Sequence, residues 1–304
     1  MPIPASQFDT WANLHQTQTA QHAHAAVRDG LSRVQGAAWM GQVDDFLQGS
    51  YRNSTSIYRD GDVDLVLQFN GVCHYDSTAL PFNDQIRVAA ALPAPALYGF
   101  AQFRRDAVDG LTRVFGGADV DASGNKAIRV AAEPGVRLAA DVVPCVQYRR
   151  YVSWDGNLSR GYVPGIAFWT KREGRLVANF PRQHIQNGWD KNARTADRYK
   201  KTVRVFKNAW NAAVRRGLLG DGVAPSYFVE CLLSNVPDAS FNPSSELAFL
   251  GAVAWLQEQR NAGALTGFWC QNGVVPLFGP SKEQWRLESA AAFIDAMYAL
   301  YMGW

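Results

Sequence analysis

The stretch Asp62-Val63-Asp64-Leu65-Val66-Leu67-Gln68-Phe69 sets two carboxylates two residues apart in a segment that alternates as a strand does. Side chains at i and i+2 of a strand point the same way, so Asp62 and Asp64 share one face while Val63 and Leu65 take the other. Neighbouring like charges repel, and aspartate is a poor strand former, so the pair needs a compensating partner. A hard cation such as Mg²⁺ supplies one: it takes carboxylate oxygens, keeps waters and draws its remaining ligands from phosphates. The plain alternative is an edge strand with its acidic face in water. Two further features favour the cation. Gly49-Ser50 ends a strand-like run twelve residues before Asp62 and leads into Asn53, Ser54, Thr55 and Ser56, a turn whose amides and hydroxyls suit a phosphate. Asp141 is a lone acid in the otherwise apolar run from Leu138 to Val146, costly to bury without a cation or a partner such as Arg129 or Arg137. If its strand pairs beside that of Asp62 and Asp64, three carboxylates converge, the ligand set for two-metal phosphoryl or nucleotidyl transfer.

The elements that must position these groups follow from the pattern. Residues 6 to about 40 read as helix, with Gly30 and Gly36 as breaks, and residues 93 to 116 read as another, entered through Pro95. Strands are expected at 45–50, 62–69, 126–130, 136–143, 165–170 and 176–179. From Pro181 onward the chain reads as helices near 182–193, 195–216, 226–236, 244–261 and 281–302. Strands gathered first and helices after them imply an α+β lobe over 1–180 followed by a helical lobe over 181–304, with the cleft between them the default place for a site.

Composition bounds the function. The 304 residues are 47% apolar and 12% aromatic, enough for a sizeable core, and 30 basic against 27 acidic residues leave a net charge of only +3. So small an excess, in no dense stripe, argues against wrapping long nucleic acid. No apolar run is long enough to cross a bilayer, and the Met1-Pro2-Ile3-Pro4-Ala5 start does not read as a secretory signal. Cys73, Cys145, Cys231 and Cys270 lie far apart, which speaks against a zinc site or disulfide framework and for a reducing cytoplasm.

With these residues in hand, the sequence resembles a family. Gly49-Ser50 through Ile57, then Asp62-Val63-Asp64-Leu65-Val66, then Asp141 is similar to the pattern of the DNA polymerase beta nucleotidyltransferase superfamily, and within it to the bacterial cGAS/DncV-like nucleotidyltransferases. Asn179-Phe180-Pro181-Arg182-Gln183-His184, Asn187-Gly188, Thr195, Arg198 to Arg204 and Pro225 to Leu233 resemble clade E of that family, so the likeness covers about residues 40 to 300. It implies a polymerase-beta-like core with a mixed sheet, a long N-terminal helix and a C-terminal helical lobe like that of oligoadenylate synthases. It also implies a cyclic-dinucleotide synthase of CBASS anti-phage signalling, using nucleoside triphosphates (UTP, ATP or both) and reaching its effector through a diffusible product, as a monomer needing neither membrane nor long nucleic acid. Asp62, Asp64 and Asp141 would hold two Mg²⁺ ions, with Mn²⁺ as a substitute.

The same resemblance assigns Gly49, Ser50, Lys200 and Ser226 to the donor triphosphate and makes Tyr227 a candidate base-stacking ring. Each has a plainer reading: a solvated basic helix face for Lys200 beside Arg198, Lys201 and Arg204, an N-cap for Ser226, a core aromatic for Tyr227. Asn179 matches a pocket position where asparagine accompanies uridine. Its carboxamide can both donate to and accept from the O4/N3 edge of uracil, so the expected product is cyclic di-UMP or cyclic UMP-AMP. A turn asparagine before Phe180-Pro181 is the alternative. His15, His22 and His24 read as surface residues and His184 as a structural hydrogen-bond partner. Competing functions are a linear nucleotidyltransferase (an oligoadenylate synthase, a tRNA-tailing enzyme or an antibiotic adenylyltransferase) and a non-catalytic antitoxin-like module.

Overall fold

The computed structural model describes residues 2–14, 18–32, 41–57 and 62–304, which divide into two compact units. One comprises residues 17–48 and 61–181; the other comprises 1–16, 49–60 and 182–304.

The first unit is built on a mixed sheet. Its strands are β1 (Val43–Leu47), β2 (Asp62–Asp76), β3 (Val120–Asp121), β4 (Ile128–Val130), β5 (Ala139–Tyr151), β6 (Tyr162–Trp169) and β7 (Leu176–Asn179). They run in the order β1-β2-β5-β4-β3, with β6 added to β5 and β7 to β6. Only β2 and β5 pair in parallel; the other neighbours are antiparallel. Val66, Val143, Cys145, Ile166, Phe168 and Val177 form a core on the sheet. Along β2 the register with β5 shifts between Phe69 and Cys73, where Gly71 leaves room for the Phe69 ring that a Cβ would strike at 2.3 Å.

Three helices belong to this unit: α2 (Gln18–Ser32), α4 (Phe82–Ala91) and α5 (Phe100–Phe115). Gly30 does not break α2 but lets it approach α5, because a Cβ there would lie 2.7 Å from the Val114 side chain. Gly36 lies outside the described residues. The helix expected over 93–116 begins only at Phe100, because Pro93 and Pro95 bias Leu92 and Ala94 toward extended backbone.

In the second unit, α1 (Ala5–Ala12) joins α3 (Gly49–Asn53), α6 (Pro181–Arg194), α7 (Arg198–Arg215), α8 (Ser226–Ser234), α9 (Ser245–Asn261) and α10 (Leu287–Met302). The single long N-terminal helix is therefore two, and the first is on the helical side. Phe8 and Trp11, three residues apart, turn one face of α1 into a core with Phe206, Phe249 and Phe293. The stripe expected on α7 is present: Val203 and Phe206 are fully buried, and Trp210 and Val214 pack at its margin.

Candidate functional site

Strand register assembles the acidic row. Asp64 lies opposite Asp141 in the parallel β2/β5 pair, so the two neighbour each other at the strand spacing of about 5 Å. The antiparallel β4 places Arg129 opposite Asp141 in turn. The pleat sorts the faces: Val63, Leu65, Ala140 and Val142 are buried, while Asp62, Asp64 and Asp141 are half-buried together on the other side.

Arg129 supplies the positive charge in this row. Its guanidinium donates to both oxygens of Asp62, at 2.9 and 3.0 Å, and lies 3.7 Å from Asp141. Of the two arginines considered from sequence, Arg137 turns instead to Asp119, at 3.0 Å, and to Glu133. The Asp141 carboxyl titrates above the usual range because burial disfavours its charged form and Asp62 adds a second negative charge, partly offset by Arg129. Among the described residues no three His, Cys, Asp or Glu side chains are gathered as a finished ion cage. Asp62 faces a guanidinium, and the shared face rests on register.

Gly49-Ser50 opens α3 directly after Gln48, whose amide donates to the Asp64 carbonyl at 3.0 Å. Gly49 has φ +67°, the left-handed region that a side chain disfavours, so glycine suits the turn out of β1.

Lys200 is not on a solvated face. It is buried within the helical unit, 4% exposed, with Nζ 3.4 Å above the Trp189 ring and no hydrogen-bond partner. Burial pulls its pKa down to about 8, Arg52 and Arg204 pull the same way, and Glu230 opposes them. Lys201 beside it is exposed. The Lys200 ammonium thus keeps three donors with no hydrogen-bond acceptor, its face contact being the Trp189 ring.

Ser226 is the first residue of α8, but Pro225 holds the N-cap position, so the hydroxyl is not the cap. Tyr227 packs as the core aromatic that was its plainer reading. Its ring stacks on His184 at 4.9 Å, tilts against Trp285 at 5.7 Å and packs on the helical core.

Residues 186–302 match the family model of the cGAS/DncV-like nucleotidyltransferase C-terminal helical domain. Over its full length the chain is 38% identical to the cyclic UMP-AMP synthase of Rhodothermus marinus, covering 99% of that protein. The chain belongs to the cGAS/DncV-like nucleotidyltransferases. It is 34% identical to the cyclic nucleotide synthase CdnE01 of Staphylococcus haemolyticus, over the whole of both chains. Its fold matches the solved structure of the Rhodothermus marinus CdnE c-UMP-AMP synthase with Apcpp and Upnpp at a TM-score of 0.87 and 37% identity, covering 100% of this chain and 98% of the other.

In this nucleotidyltransferase, Asn179 ends β7, where Gly165 of β6 leaves space that a Cβ would close to 2.7 Å from the Asn179 carbonyl. Its side-chain oxygen accepts from the Phe180 amide at 2.8 Å, the turn role foreseen as the alternative. That bond takes one of the oxygen's two lone pairs and leaves both NH₂ hydrogens, so the side chain still carries a donor and an acceptor.

Sequence reasoning missed a buried polar cluster in the helical unit. Glu230 accepts from Thr55 Oγ1 at 2.6 Å and Asn53 Nδ2 at 3.2 Å, and His184 Nε2 lies 3.0 Å away, the structural partner role expected of that histidine. The available signal was a lone acid in Phe228-Val229-Glu230-Cys231-Leu232, the same signal that singled out Asp141. His24, expected at the surface, is half-buried and pairs with Asp45 at 2.6 Å; His22 is exposed, and His15 lies outside the described residues.

Proposed function

We propose that this nucleotidyltransferase joins two nucleoside triphosphates into a cyclic dinucleotide containing uridine. The observation that carries the reading is the Asp64–Asp141 register with Asp62 on the same face, in a chain related over its whole length to a cyclic UMP-AMP synthase. In each round a ribose hydroxyl attacks the α-phosphorus of a donor triphosphate. A new P–O bond forms, the bond to the β-phosphate oxygen breaks, pyrophosphate leaves and the hydroxyl proton passes to solvent. A second round closes the ring.

Asp62, Asp64 and Asp141 are the groups that would hold Mg²⁺ (two ions, with Mn²⁺ able to substitute), which supplies activation of the hydroxyl and charge stabilisation of the leaving pyrophosphate. The fit is supported by the row already holding a cation on Asp62 and by an Asp141 that burial and a neighbouring carboxylate make costly to ionise. Lys200 donates to the donor phosphates, its unpartnered ammonium leaving the Trp189 face for stronger acceptors. Gly49, Ser50 and Ser226 complete the phosphate contacts. Tyr227 contributes by packing rather than by stacking on a base. Asn179 presents its NH₂ to O4 of uracil; the exocyclic amine of cytosine would meet it donor to donor. The product would be diffusible, made in the cytoplasm for an effector of anti-phage signalling. Among the described residues no helix is long and apolar enough to cross a membrane.

Incubation with all four nucleoside triphosphates followed by mass spectrometry tests the reading. A phosphatase-resistant product containing UMP is expected. A product that loses terminal phosphate would make the enzyme a linear transferase, and incorporation of ATP and GTP without UTP would overturn the base assignment.

A further inference from the structure

We infer that Glu230 is the positioning residue that sets the Gly49–Ser50 turn at a fixed distance from Lys200 and Ser226, holding the donor-triphosphate groups in one constellation; this rests on the phosphate reading above. The chain between Asn53 and Ile57 has no helix or strand to hold it. Ser54 sits at φ +57°, unusual for a residue with a side chain, yet Asn53, Thr55, Ser56 and Ile57 are buried. Such a segment keeps one conformation only if its surroundings over-determine it.

Side chains of α7 and α8 do so, and they divide the task by charge. The carbonyls of Ser54 and Thr55 receive cations, from Arg204 at 2.6 Å and Lys207 at 2.8 Å. The donors Asn53 and Thr55 meet one carboxylate between them, Glu230. The Thr55 amide returns to the Ser50 carbonyl at 2.9 Å, so fixing Thr55 fixes Ser50.

Helical spacing links this clamp to the phosphate groups. Glu230 lies four residues after Ser226 on α8, and Arg204 and Lys207 follow Lys200 by four and seven on α7, so each helix carries clamp and phosphate group on one face. Burial would raise the Glu230 pKa, but the His184 hydrogen bond, the charges of His184 and Lys207 and the Thr55 hydroxyl together hold it below the usual range, so the clamp is ionised.

Thr55→Val removes the hydroxyl at nearly constant volume, and Thr55→Ser keeps it. Binding of a non-hydrolysable UTP analogue, measured calorimetrically, should weaken about tenfold in Thr55→Val, the scale of a lost hydrogen bond to a charged group, and recover in Thr55→Ser. Val253→Ala, a core change in α9, serves as a control for lost stability and should leave affinity unaltered. Unchanged affinity in Thr55→Val, an equal loss in the control, or failure of serine to rescue would overturn the inference. Ser50→Ala and Lys200→Met separate the two ideas: if neither weakens binding, the phosphate reading itself has failed, whereas if both do and Thr55→Val does not, only the role of Glu230 has.

Discussion

The acidic row on the sheet and the polar cluster among the helices both gather charged side chains, but by opposite means. In the row, Asp62, Asp64 and Asp141 are half-exposed, and strand pairing alone sets them side by side. In the cluster, Glu230, Arg204 and Lys207 are each less than a tenth exposed, and hydrogen bonds with the 53–55 segment, Ala12 and His184 compensate that burial. Charges left half in water stay available to a ligand and contribute little to stability. Charges taken wholly out of water are costly to disturb and hold the backbone in place. The fold thus separates the groups suited to chemistry from those suited to geometry.

That contrast can be broken at either end. Asp62→Asn with Asp64→Asn should lower turnover at least about a thousandfold, from the loss of several kcal/mol of charge stabilisation. The melting temperature should barely move, and a large drop would place these carboxylates with the buried class. Glu230→Ala should do the reverse to stability, costing about 3–5 kcal/mol in denaturant titration, because it removes a buried negative charge that faces Lys207 and the Asn53 and Thr55 donors.

Lys200 stands between the two classes, being buried like the cluster yet without a hydrogen-bond partner. Its pKa near 8 means that a triphosphate meets an ammonium below that pH, whereas above it a proton must be taken up on binding. Affinity for the UTP analogue should therefore fall about tenfold per pH unit above 8. Lys200→Arg should flatten the profile, since a guanidinium stays charged; an unchanged slope would exclude Lys200 as its source. The smallest effect is expected at Arg129, half-exposed and paired with Asp62: Arg129→Ala should alter stability by less than about 1 kcal/mol.

Much of the acidic row was legible. The i, i+2 aspartates and the lone Asp141 in an apolar run each carried a local signal, and β7 lies where alternation placed it, at Leu176–Asn179. The phosphate-binding candidates were less legible in their surroundings. Lys200 looked like any exposed basic residue of α7, because helical periodicity does not report which polar face another segment will cover. Ser226 looked like a cap, but Pro225 occupies that position. Asn179 was read with both hydrogen-bonding groups available, and only the turn geometry showed its oxygen already accepting from Phe180. α4 escaped notice, and the first helix was assigned to the strands because nothing local says which core Phe8 and Trp11 will enter.

The order of residues along the chain determined which side chains share a face and which runs must be covered, because strand and helix periods are properties of the local backbone. Which strands became neighbours, and therefore that Asp64 met Asp141, was decided by the folded whole. So was the burial of Glu230 and Lys200. Pairing and desolvation depend on segments far apart in the chain, as Asp64 is from Asp141 and Thr55 from Glu230, and no periodicity encodes that distance.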